Sequence, residues 1–513
     1  MAGAASTPAP SGMPWGTVLL AGLVLALSNF MVVLDITIAN VSVPHIAGGL
    51  GISPSEGTWV ITSYAVAEAI CVPLTGWLAR RFGEVKVFVA GMVGFALFSF
   101  LCGTAPSFGA LVAFRIGQGL SGGPIMPISQ TLLLRIFPKD KHAMAMGIWS
   151  MTTITAPIFG PILGGTISDN WGWNWIFFIN VPIGVACSFA AIALLRRAES
   201  KTARMRVDVV GLGLLVTAVG ALQIMLDLGR ERDWFGSPFI VTLAIIATVG
   251  FVFLIVWELF EREPIVDLKV FRHSGFTFSV LALVFTYGVF FATLVIIPQW
   301  LQSQLGYTAT WAGYAMAWNG VAAVFMAPVA AILSQKVDPR ILVSGGILWL
   351  AATSLIRVVW WTGDADFWTL ALPQLIQGAG MPFFFVPLTT LALGAVEENE
   401  VASAAGVMNF LRTMSGAIAT AIGVTMWENG AQSTRDTMTG VLNGTGSTMQ
   451  ALQSRGLSVE QSRQFVSQLV DNQAIAVTTV NLFELFAAIF VVSAAIIWLA
   501  PKPKHAVAMD AGH

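Results

Sequence analysis

Apolar residues in this chain neither alternate nor recur on one helical face. They run in blocks of about twenty or more, separated by short stretches that carry charges, Gly and Pro. A block of that length crosses ~30 Å of hydrocarbon as a helix, and fourteen are read along the chain. Their limits are 16–43, 57–79, 85–104, 107–136, 142–168, 174–196, 208–228, 236–258, 276–302, 308–334, 340–361, 366–394, 402–428 and 474–500. The pattern predicts an all-α integral membrane protein.

Placing both termini in the cytoplasm puts 18 of the 26 Lys and Arg residues in inner loops. This bias fixes orientation by the positive-inside rule, and an even number of spans agrees with it. Composition sharpens the same picture. Hydrophobic residues make up 56% of the 513 and charged residues 10%, against about 25% charged in soluble domains. A net charge of -1 offers no basic surface for nucleic acid. No P-loop, zinc-finger or dinucleotide-binding spacing is present, so no cofactor or metal is expected. The three cysteines fall inside apolar runs and read as small core residues.

The chain also repeats itself. Leu50-Gly51 precedes Pro73 by 23 residues, and Leu305-Gly306 precedes Pro328 by the same 23. Gln118-Gly119 has a partner in Gln377-Gly378. Spans 1–6 and 9–14 therefore read as two related halves with spans 7 and 8 between them. Parallel repeats of six helices mark transporters whose site lies near the midplane between the halves.

Four motifs carry a family resemblance. GWLARRFGEVK (76–86) joins spans 2 and 3, with Gly76, Arg81, Gly83 and Lys86 at its fixed positions. FRIGQG (114–119) lies in span 4. APIFGPILGG (156–165) in span 5 holds Gly160, Pro161, Gly164 and Gly165, and LDITIANVSVP lies in span 1. In this order they resemble the major facilitator superfamily, specifically its fourteen-span drug:proton antiporters. The implied fold is two six-helix bundles related by an internal repeat plus two extra central helices. It divides the chain into an N-terminal tail (1–15), a first bundle (16–200), a linker with two spans (201–272), a second bundle (273–500) that includes a periplasmic loop at 429–473, and a C-terminal tail (501–513).

The resemblance also implies proton-coupled export of lipophilic or cationic drugs from the bacterial inner membrane by alternating access, with the proton gradient as energy source. It further implies a periplasmic adaptor of the EmrA type and an outer-membrane channel as partners. The 429–473 segment, with Phe465, Val466, Leu469 and Val470 at helical spacing, is the expected docking surface. The span 2–3 loop is expected to control conformation. The span 5 motif is expected to seal or bend between states, with close helix packing the simpler alternative.

Charges inside hydrocarbon are costly and must be few and partnered. Asp35, Glu68 and Arg115 lie 9, 11 and 8 residues from the outer ends of spans 1, 2 and 4. At 1.5 Å per residue they share one layer, roughly 12 to 17 Å deep. A carboxylate that moves between burial and an Arg partner can load and release a proton, so these three are the expected coupling group. A permanent ion pair that only ties helices together is the alternative. Arg412 with Asn409, and Glu484 with Asn481, form a second set; Arg357 and Glu428 read as snorkelling residues near span ends. Gln118, Trp318, Asn319, Gln377, Phe384, Asn409 and Arg412 are the expected pocket residues.

Two other readings compete. GLSG at 119–122 matches a serine-protease pattern, but all five histidines fall in loops, tails or span ends, leaving no embedded base. Within transporters, the alternative is an exporter of one endogenous metabolite, fatty acid or siderophore.

Overall fold

The computed structural model describes residues 13–203, 206–334, 336–361, 365–441 and 445–502; most of both expected tails lies outside them. Among the described residues the chain is helical and contains no strand. The helices of the first half are α1 (Trp15–Leu50), α2 (Pro54–Gly57), α3 (Trp59–Cys71), α4 (Thr75–Phe82), α5 (Glu84–Gly103), α6 (Phe108–Gly122), α7 (Ile125–Ile136), α8 (His142–Asn170), α9 (Trp175–Phe178) and α10 (Asn180–Leu195). The linker holds α11 (Val209–Leu228) and α12 (Pro238–Phe260). The second half holds α13 (Ser274–Gln304), α14 (Ala309–Leu333), α15 (Pro339–Trp360), α16 (Phe367–Gly394), α17 (Val401–Val441), α18 (Thr445–Ser454) and α19 (Val459–Ile496).

Eleven helical segments are long and apolar enough to cross a membrane, and two bent pairs raise the count to thirteen. One pair is α3 with α4, bent by 58°; the other is α8, bent by 49° between Pro157 and Ile162. There Pro161 removes a backbone donor from the helix ladder. The one expected span left over, the fourth at 107–136, coincides with α6 and α7. Gly122, Gly123 and Pro124 divide it into pieces of 15 and 12 residues, each too short to span alone.

Helix starts follow ordinary capping chemistry. The Ser107, Thr308 and Asp366 side chains accept the backbone N–H groups of Ala110, Trp311 and Thr369. Ser458 and Gln461 form a reciprocal capping box that begins α19. This start corrects the expectation of a loop at 429–473. α17 continues outward to Val441 and α19 begins at Val459, so most of that stretch is helical. Arg435 Nε, 2.7 Å from Asp471, ties the two extensions together.

The repeat appears in the packing. A Cβ on Gly119 of α6 would sit 2.5 Å from the Tyr64 carbonyl of α3. Gly378 of α16 meets the Asn319 carbonyl of α14 in the same way. The matched glycines thus mark equivalent close crossings, which only a residue without a side chain allows.

The halves meet at their cytoplasmic ends. Gly76 of α4 lies against Ser403 of α17, Gly406 lies against the Val72 carbonyl, and Gly147 of α8 faces Ala331 of α14. The two halves are therefore packed together at these ends.

Candidate proton and substrate sites within the bundle

Two of the span residues expected to matter, Arg115 and Gln118, converge with Asn180 on one carboxylate, that of Asp35. Arg115 Nη1 donates to Asp35 Oδ2 at 2.7 Å, Gln118 Nε2 donates to Oδ1 at 3.0 Å, and Asn180 Nδ2 donates to the same oxygen at 2.6 Å. Asp35 acts as acceptor in all three. Gln118 also accepts from Arg115 Nη1 at 2.7 Å and donates to Ser99 at 2.7 Å. Arg115 Nε donates to the Val60 carbonyl at 3.0 Å, and its guanidinium lies 4.3 Å from the Tyr64 ring centroid.

Asp35, Arg115, Gln118 and Asn180 are all buried. Five helices, α1, α3, α5, α6 and α10, thus supply one polar knot in the first bundle. Removing either charge would leave the other uncompensated in low dielectric.

Glu68 is buried as well, but among the described residues it makes no ion pair with Arg115. Of the three expected charges, two form a contact ion pair, while Glu68 lies near enough to feel the charges of Arg115, Arg412 and Asp35 without bonding to them. Gln118 belongs to this knot rather than to a pocket.

The residues expected to line a pocket divide into groups. Arg412 of α17 is buried and lies 11 residues, about 16 Å, from the cytoplasmic start of its helix. Its guanidinium sits 5.5 Å from the Trp149 ring, 5.2 Å from Tyr287 and 5.8 Å from Phe385. One Nη contacts the Met126 sulfur, while Nε and the other Nη have no hydrogen-bond partner among the described residues. Asn409, one turn away, donates to Gln130 of α7 at 2.5 Å. Trp149 and Phe385 stack face to face at 6.2 Å across the two halves. Arg412 thus occupies an aromatic cage at the centre of the molecule.

Trp318, Gln377 and Phe384 do not join that cage. Trp318 packs on Trp368, and Phe384 packs edge-on behind Phe385. Asn319 is buried beside Gly378 with its amide unpartnered among the described residues. Gln377 and Gln374 accept from Arg357. Arg357 is 1% exposed, between Trp361 and Phe483, so it does not snorkel as expected. It bonds Gln377, the match of Gln118, but it comes from α15, the counterpart of α5 rather than of α6, and it has no carboxylate partner within 4 Å among the described residues. Glu428 pairs with Arg230 at 2.6 Å, whereas Glu484 and Asn481 face outward from α19.

In the span 5 motif, Gly160 meets Thr37 and a Cβ on Gly164 would lie 3.0 Å from the Ile38 carbonyl of α1; Gly165 faces open space. Pro161 sits within the bend of α8. In the span 2–3 loop, Gly83 adopts a φ of +95°, which favours glycine. Glu199 accepts the backbone N–H groups of Val85 and Lys86 at the start of α5, where a negative charge suits the helix dipole.

His273, Glu397 and Glu400 gather at the cytoplasmic face. Arg272 lies 3.1 and 2.8 Å from the two carboxylates, making the group a charge-paired latch.

Sequence asks nothing unusual of Ser99, Asn180, Tyr64, Trp149, Tyr287 or Gln130; Tyr64 alone stands one helical turn from a charge in its span, Glu68.

Comparison with known proteins agrees with this architecture. The chain is 45% identical over 485 residues to the multidrug export protein EmrB of Escherichia coli strain K12, covering 94% of this chain and 95% of that protein. It is 42% identical over 487 residues to the fatty acid resistance protein FarB of Neisseria gonorrhoeae, covering 94% and 96%. Its fold matches the solved proton:xylose symporter XylE at a TM-score of 0.60 and 13% identity, covering 95% of this chain and 96% of that one. Residues 25–420 match the Major Facilitator Superfamily, and the chain belongs to that family of multi-pass inner-membrane transporters.

Proposed function

We propose that the chain is a multidrug exporter that exchanges protons for lipophilic compounds across the inner membrane, with Asp35 as the proton carrier. The buried Asp35–Arg115 pair carries this reading. Protonating Asp35 removes the charge that holds Arg115, frees a guanidinium within the first bundle, and so couples proton arrival to helix movement. One proton falling through 100 mV supplies about 2.3 kcal/mol, enough for roughly fiftyfold accumulation of substrate.

Substrate is assigned to the Arg412 cage, where both halves contribute rings. Aromatic rings pack on flat lipophilic compounds, and the guanidinium N–H groups that lack a partner among the described residues can donate to a carboxylate. The same donors favour a second reading, export of amphipathic acids such as fatty acids, in keeping with the name of the Neisseria relative. The loop at 76–86 and the bend in α8 change conformation as the cytoplasmic contact of Gly76 with Ser403 opens. The helical extensions between 429 and 473 dock a periplasmic adaptor that leads to an outer-membrane channel.

Proteoliposome export of candidate drugs and of a medium-chain fatty acid, driven by an imposed pH gradient, tests the reading. Export that proceeds equally with the gradient collapsed would overturn it.

A further inference from the structure

Away from the bundle centre, a recess of about 620 Å³ opens on the flank of the first half. It lies where two interrupted helices border α5: the bent pair α3–α4, and α6–α7 with its break at Gly122–Pro124. Its chemistry is graded along the membrane normal. Arg81, Lys86 and Thr202 stand at the cytoplasmic mouth; Leu78, Val87, Ala90 and Leu120 form walls below. Lys86 occupies the first turn of α5 and Ala90 the next, about 6 Å deeper. Leu120 is 45% exposed and Phe82 47%, so the recess opens sideways into lipid.

No carboxylate lines the recess among the described residues. The two nearby acids are engaged elsewhere: Glu84 pairs with Arg135 at 2.8 Å, and Glu199 accepts the N–H groups that start α5. Arg81 is fixed at the rim by the Trp77 and Phe82 rings, 5.3 and 5.5 Å away.

We propose that this groove binds a phospholipid of the cytoplasmic leaflet with an anionic headgroup. Its phosphate lies between Arg81 and Lys86, and one acyl chain lies along Val87, Ala90 and Leu120. A leaflet lipid presents charge at the surface and hydrocarbon beneath it, matching the gradient of the groove; basic pockets between helices on the cytoplasmic side suit such headgroups. A free phosphate leaves the apolar walls unfilled, and a cationic drug meets two like charges. The site also bears on conformation. α4 presents Leu78 and Phe82 to the groove and Gly76 to Ser403 of the second half, so a lipid seated there braces the helix that meets the second half at this end.

The test is native mass spectrometry of the full chain in mild detergent, with phosphatidylglycerol and phosphatidylcholine added in equal amounts. The wild type retains one phosphatidylglycerol in preference to phosphatidylcholine. Ala90→Trp, which fills the groove, lowers that retention at least tenfold. Lys86→Gln lowers it about fivefold, the equivalent of ~1 kcal/mol for one basic contact. Lys269→Gln, a basic change outside the groove, leaves it unaltered. Equal retention of the two lipids overturns the proposal, as does undiminished phosphatidylglycerol on a monodisperse Ala90→Trp protein. Displacement by millimolar inorganic phosphate, or by a lipophilic export substrate, overturns it in favour of a simple anion site or a drug entry.

Discussion

Arg115 places a guanidinium nitrogen 2.7 Å from a carboxylate oxygen of Asp35, and neither side chain is more than 1% exposed. Such a pair is costly to bury and more costly to break, because truncating one partner strands the other; losses of about 3–5 kcal/mol are usual. Arg115→Ala is therefore expected to lower thermal stability more than the double change Arg115→Ala with Asp35→Asn. Melting curves in detergent check this, and equal stability of the two variants would deny the coupling.

Arg412 has aromatic neighbours and makes no salt bridge among the described residues, Glu68 acting on it only from beyond contact distance, so its change should act on substrate more than on folding. Arg412→Leu is expected to raise the KM for a carboxylate substrate at least tenfold while altering that for a neutral one less, since a charge-assisted hydrogen bond contributes about 1.5–3 kcal/mol. Transport kinetics for a matched acid and amide measure the difference.

At the crossing of α1 and α8 a side chain has no room. Gly164→Leu would press on the Ile38 backbone, whose carbonyl lies 3.0 Å from where a Cβ would stand. Turnover is expected to fall at least tenfold with membrane insertion unchanged. Normal transport by this variant would show that the crossing tolerates separation.

The outer helical extensions expose Phe465 and Leu469, 45% and 50% exposed, on α19. Replacing both by Ser is expected to weaken capture of the periplasmic adaptor while leaving export in proteoliposomes unchanged. Co-purification from membranes and the liposome assay separate the two effects.

Some of this site was legible in the sequence because lipid makes charges conspicuous. Asp35 and Arg115 stand out in apolar runs, and counting residues from helix ends places them at one depth. The same counting put Glu68 beside them, but depth says nothing about azimuth, and Glu68 lies within reach of both Arg115 and Arg412 without a contact pair to either. Counting also misread Arg357: it lies near the end of α15 yet turns inward beneath Trp361 and Phe483.

Asn180 and Ser99 were invisible because neutral polar residues are common in spanning helices. Asn180 reaches an acceptor 145 positions away in sequence. The helical form of 429–473 was only partly legible. The apolar spacing of Phe465, Val466, Leu469 and Val470 was present, but a polar composition resembles a loop until the capping box and the Arg435–Asp471 pair are seen.

The most direct test of the central claim compares wild type and Asp35→Asn in proteoliposomes, measuring substrate accumulation with and without an imposed pH gradient, alongside substrate binding to the purified proteins. The account predicts that the gradient raises accumulation by wild type and has no effect on Asp35→Asn, while binding stays within a fewfold. Gradient-driven accumulation by Asp35→Asn at the wild-type level would contradict it, and Asp35 would then serve only to hold Arg115.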